Sequence, residues 1–176
     1  MNTMLRRCFG AGLVIAACAL AQGCKPPNYP TGAIEQQFYA GGTWAVSSQT
    51  GTMCCDSLGN KFDLYYPTNL GAGGFKHPII TWGNGSFGKA SDVDYFLKHM
   101  ASWGFVIIAT EDQMTGPGQT ILDAANFLIA ANSNPGMFQN KLDVTNVGAI
   151  GASQGAGGAI NALIKSAGTI KTVIPI

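Results

Sequence analysis

Gly151-Ala152-Ser153-Gln154-Gly155 stands where an apolar run, Asn146 to Ile150, gives way to a small-residue stretch, Ala156 to Lys165. A serine with glycine two positions to either side, between a buried strand and a helix, has the form of a nucleophile elbow. So sharp a turn strains the serine backbone, and side chains at the flanking positions would collide, hence Gly151 and Gly155. The helix that follows offers backbone N–H groups and a partial positive charge, both favourable to an anionic intermediate. Ser153 is therefore the candidate nucleophile toward a carbonyl carbon, and the N–H of Gln154 a candidate oxyanion donor. A second donor is expected from Gly83-Asn84-Gly85-Ser86, whose glycines let backbone approach a ligand closely. The N–H of Asn84 is the first choice there and Ser86 the alternative.

A serine hydroxyl needs a base to become nucleophilic. No histidine follows Ser153. His77 opens an expected strand and so falls at the sheet edge opposite the strand ends where ligands bind. His99 falls inside an expected helix. Asp112 lies past a strand's carboxyl end and reads as a solvated loop carboxylate. The 176 residues thus hold a nucleophile without its acid and base. The same glycines admit a rival reading, since Gly151, Gly155 and Gly157 also fit the turn by which short-chain dehydrogenases bind a dinucleotide. Some 80 residues of strand–helix pattern precede that turn here, and no acidic residue ends the next strand, Lys171 to Ile176, to hold a ribose. A non-catalytic envelope protein on the same scaffold is the third reading.

These residues need elements to position them. Two strands are expected near Thr43–Ser47 and Lys61–Tyr66, joined by the turn-rich Asp56-Ser57-Leu58-Gly59-Asn60. A buried strand, His77 to Trp82, runs into the Gly83–Ser86 loop. Val93, Phe96, Leu97 and Met100 recur at helical spacing. Gly104–Thr110 reads as a strand buried on both faces, Thr120 to about Ala131 as a helix, and Lys171–Ile176 as a further strand. Strands alternating with helices predict an α/β fold: a mostly parallel, mixed sheet with helices on both faces. Tyr65, Tyr66, Trp82, Trp103 and Phe127 read as core aromatics, with Trp82 set apart because it immediately precedes the loop.

The order IITWGNG, HMASWGFVIIATED, KLDVTNVGAIGASQGAGGAINA resembles the secreted esterase branch of the α/β-hydrolases. It is similar to the cutinase-like polyester hydrolases, the platelet-activating-factor acetylhydrolases and the chlorophyllase-like esterases. The resemblance runs from about Phe62 to Ile176 and implies an α/β-hydrolase fold truncated after about the sixth strand. It implies carboxylic ester hydrolysis through an acyl-enzyme on Ser153, with Gln154 and Asn84 at the family's oxyanion positions and no cofactor. The family's acid and histidine come after its sixth and eighth strands, and 23 residues follow Ser153 here. The expectation is an N-terminal fragment of an esterase acting on small or polymeric esters, itself inactive.

Composition bounds the remainder. Arg6-Arg7, an apolar run from Ala11 to Ala21 and small residues after it read as a signal peptide over residues 1–23. Cleavage before Gln22 implies release; Leu20-Ala21-Gln22-Gly23-Cys24 resembles a lipobox and implies a lipid on Cys24 and membrane attachment. Either way the chain is expected to be exported, to the periplasm, the medium or the envelope. Residues 24–35 read as a linker and 36–176 as the incomplete hydrolase domain. Beyond residue 23 there is no arginine, and 8 Lys face 9 Asp plus Glu, which argues against a nucleic-acid partner. Cys54 and Cys55 lack nearby histidines and predict no metal site. Being adjacent, they are expected to pair with cysteines elsewhere or to stay free.

Overall fold

A computed structural model describes residues 32–176. The expected signal peptide, the lipobox at Cys24 and most of the linker lie outside the described residues. The chain divides into two units, residues 1–40 and Gly41–Ile176, each taken by itself. In the first, Ala33–Tyr39 forms helix α1, with no buried residue. The second carries six strands: β1 Val46–Cys54, β2 Lys61–Pro67, β3 His77–Gly83, β4 Val106–Thr110, β5 Leu142–Gly151 and β6 Thr172–Pro175. Its helices are α2 Asp94–Ser102, α3 Gln119–Ser133 and α4 Gln154–Lys165.

The strands form one sheet in the order β1-β2-β4-β3-β5-β6. β1, β2 and β4 pair antiparallel, whereas β4, β3, β5 and β6 are parallel neighbours. The expected mixed α/β sheet is therefore present. Period-two alternation sorts the side chains onto two faces. Phe62, Leu64, Ile79 and Ile108 point with Ile121, Leu128, Ala159 and Ala162 into the core under α3 and α4. Tyr65, Ile80, Trp82 and Ile107 point the other way, onto Leu97 and Ala101 of α2. Every residue of β4 is buried, as a central strand covered on both faces requires.

Differences fall at element ends. β1 spans Val46–Cys54, not Thr43–Ser47: its Ser, Gln and Thr residues alternate as a half-exposed edge strand, and Gly51 sits at φ 57 in a register shift between Gln49 and Met53. Polar residues and one glycine there read as turn. β4 starts at Val106 because Gly104, at φ 96, donates its N–H to the Ala101 carbonyl and closes the preceding helix. A second expectation fails outright. Cys54 and Cys55 form a disulfide with each other across a cis peptide bond, with Cα atoms 3.1 Å apart. Just beyond, the Asp56 carboxylate accepts the N–H groups of Leu58 and Asn60 and closes the hairpin turn.

Candidate active site

The parallel strands β3 and β5 end side by side, Gly83 opposite Gly151, and the Ala152 N–H donates to the Gly83 carbonyl at 3.2 Å. The chain then reverses into α4 within two residues. Ser153 takes the whole reversal at φ 53, ψ −119, outside the regions a side chain ordinarily tolerates, and it is exposed. Its own N–H donates to the Ile176 carbonyl at 2.7 Å, so the end of β6 braces the turn.

The glycines are required by contact. A Cβ on Gly151 would overlap the Gly155 carbonyl, and one on Gly155 would overlap the Gly83 carbonyl and stand 2.5 Å from the Asn84 oxygen. The first turn of α4 thus lies on the backbone of the Gly83–Ser86 loop, and a Cβ on Gly85 would be 3.5 Å from the Ser153 Cβ. Gly158 is packed as tightly, against the Thr115 carbonyl, whereas Gly157 faces open space. The third glycine of the dinucleotide pattern is therefore not under the constraint that governs the elbow.

Ser153, Gln154, Asn84, Gly151 and Gly155 are thus brought together. Gln154 begins α4, and its N–H has no carbonyl one turn earlier to bond within the helix. Its side chain lies against Gly116, with Nε2 3.9 Å from the Met114 sulfur and the amide oxygen buried without a protein partner. Asn84 is 1 % exposed. Its Oδ1 accepts the Trp82 indole N–H at 2.9 Å, its Nδ2 donates to the Thr110 and Asp112 carbonyls at 2.8 and 2.9 Å, and its own carbonyl accepts the Thr115 hydroxyl at 2.6 Å. Trp82 is indeed core, yet its one polar atom is spent on the loop beside the serine. Thr115 carried no signal in the sequence. Phe87 is also new: it is 78 % exposed at φ 60, with its N–H on the Gln113 carbonyl. An aromatic two residues past a glycine was the available clue.

Asp112 is not a solvated carboxylate. It is 9 % exposed, its Oδ1 accepts the Met114 N–H and its Oδ2 the Thr120 hydroxyl, both at 2.8 Å, so it fastens the loop between β4 and α3. An acidic residue after a strand is commonly surface-exposed, and the partners that hold this one come from the loop, at Met114, and from the first turn of α3, at Thr120. His77 is fully buried at the start of β3. Six residues of parallel strand separate it from Gly83, roughly 20 Å at about 3.3 Å per residue. Nδ1 donates to the Gly104 carbonyl at 2.7 Å and Nε2 accepts the Gly71 N–H at 3.1 Å, which fixes one neutral tautomer. Burial lowers its pKa, and the Gly104 bond offsets part of that. His99 lies in the last turn of α2. Among the described residues no group of three His, Cys, Asp or Glu side chains could hold a metal ion.

One comparison bears on this arrangement. A family model described as PET hydrolase-like matches residues 19–176, nearly the whole chain and all of the sheet.

Proposed function

The chain belongs to the PET hydrolase-like family, whose activity is carboxylic ester hydrolysis, and from that premise we propose that Ser153 is the nucleophile of an acyl-enzyme mechanism. The observation that carries this reading is the Ser153 backbone, φ 53 and ψ −119, at the junction of a central parallel strand and a helix. That conformation costs of order 1–3 kcal/mol. It lifts the hydroxyl clear of both the strand and the helix, where a carbonyl carbon can reach it.

In this reading Oγ of Ser153 attacks the ester carbonyl while a base takes its proton. The carbonyl oxygen becomes an alkoxide held by the N–H groups of Gln154 and Asn84. Collapse expels the alcohol, which takes up the proton, and water then cleaves the acyl-serine by the same steps. His77 is held neutral and distant and His99 belongs to α2, so neither is assigned as the base in this reading. The substrate is a small or polymeric ester. Export, with or without a lipid on Cys24, fits a polymer too large to enter a cell.

The test is turnover of a short-chain p-nitrophenyl ester and of a polyester film by the full-length protein. Ser153→Ala is expected to lower kcat by about 10⁶-fold, as loss of a triad nucleophile does elsewhere. Activity retained in that variant would remove Ser153 from the mechanism.

A further inference from the structure

Asn84 uses every polar atom of its side chain, and the partners leave no freedom in how. The Trp82 indole can only donate and the Thr110 and Asp112 carbonyls can only accept, so the carboxamide sits one way round. The Thr115 hydroxyl then fixes the Asn84 carbonyl and with it the Asn84–Gly85 peptide. The Gly83–Asn84 peptide, which carries the Asn84 N–H, is pinned by the Ala152 N–H on the Gly83 carbonyl at 3.2 Å, so Asn84 is held between two anchored planes. The anchors are themselves anchored. Thr110 donates its hydroxyl to Asp56 at 2.5 Å and accepts the Asp112 N–H at 3.1 Å, and Asp112 is closed by Met114 and Thr120. Asn84, Thr110, Thr115 and Trp82 are at most 2 % exposed. A loop that served only to connect β3 to α2 could satisfy its backbone with water at the surface. This one is bolted from inside, at the residue adjoining the serine.

We propose that the Asn84 carboxamide and the Thr115 hydroxyl are positioning groups that hold the Gly83–Ser86 backbone in the orientation the oxyanion needs, before any substrate is bound. The proposal rests on the reading of Ser153 and this loop given above. Neither group touches substrate; together they hold Asn84 from its side chain and from its carbonyl, on either side of the Cα whose N–H is the donor. An N–H fixed beforehand costs no reorganisation when charge develops, whereas one free to swing must be ordered at that moment. The effect therefore belongs to the transition state and not to ester binding.

Thr115→Val keeps shape and removes the hydroxyl; Thr115→Ser keeps the hydroxyl. In the full-length protein, Thr115→Val is expected to lower kcat by about 10- to 100-fold with KM within about 2-fold, since a displaced catalytic contact costs up to about 100-fold. Thr115→Ser should recover most of the loss. A trifluoromethyl ketone, which forms a tetrahedral oxyanion on the serine, should lose affinity in step with kcat/KM. Trp82→Phe, which removes the indole N–H beneath Asn84 along with part of the ring's packing, should show the same split. Full kcat in a folded Thr115→Val protein, or a loss confined to KM, overturns the proposal. So does failure of both Thr115→Val and Trp82→Phe to fold, because the network would then serve the fold and not the site. If Ser153→Ala is inactive and Thr115→Val is unimpaired, this proposal alone fails; if Ser153→Ala keeps turnover, the reading beneath it fails as well.

Discussion

A buried imidazole with both nitrogens engaged is a proton-linked element of stability, and His77 is one. Burial depresses its pKa below the ordinary 6.5, so the unfolded chain binds the proton more readily than the folded one. Stability from this residue is complete above about 6.5 and is lost as pH falls toward the folded pKa. The midpoint of thermal unfolding should drop between pH 7.5 and 5.5, and that drop should shrink in His77→Gln even though the variant starts lower. Asp123 and Asp143 are held below the usual carboxylate range by hydrogen bonds, outweighing the burial of Asp123, and act at lower pH. Asp63, raised chiefly by burial, works in the opposite sense. An equal drop in the variant would show that the imidazole is not the group titrating. His77 also shows what a single residue discloses in advance: opening β3, it falls at the opposite end of that strand from Gly83. The role of Asp112 was not disclosed in this way, because its partners Met114 and Thr120 come within reach only once the loop folds back into α3.

Between β5 and α4 the constraint is one of contact between backbones, and it distinguishes glycines that look alike in the sequence. A Cβ on Gly155 would run into the Gly83 and Asn84 carbonyls, rigid groups that cannot swing away. Gly155→Ala is expected to destabilise by about 3 kcal/mol, at the upper end of ordinary overpacking. Gly157 is helical and open, so Gly157→Ala should stabilise by about 0.5–1 kcal/mol through helix propensity alone. Denaturant unfolding of the two variants checks the pair, and equal effects would contradict the packing argument. The elbow was legible because its strand, its turn glycines and its helix lie in one continuous stretch. β1 was less so: an edge strand of Ser, Gln and Thr with a glycine in left-handed conformation carries the composition of a loop. The Cys54–Cys55 bond was the opposite case, hidden because adjacency argued against it.

Across the whole of Gly41–Ile176 the sheet is closed unevenly. β1 is polar, but β6, paired with β5 among the described residues, leaves Ile174 49 % exposed. Beside it runs a groove of about 340 Å³ lined by Ile80, Met100, Phe105, Ile150 and Ile174. An apolar edge with unpaired backbone groups favours strand-to-strand association. Residues 41–176 expressed alone should self-associate in light scattering, and Ile174→Lys should reduce that; a monomeric polypeptide unaffected by the lysine would refute the claim. The alternation of strands and helices made this architecture legible, whereas which edge stays bare depends on strand order, which no local pattern carries. All of these elements converge on one hydroxyl. The most direct measurement of that claim is mass spectrometry of the full-length protein after reaction with a fluorophosphonate. The account predicts a single stoichiometric adduct on the peptide containing Ser153, absent from Ser153→Ala. An adduct on another serine, or none on a protein that still hydrolyses esters, would contradict it.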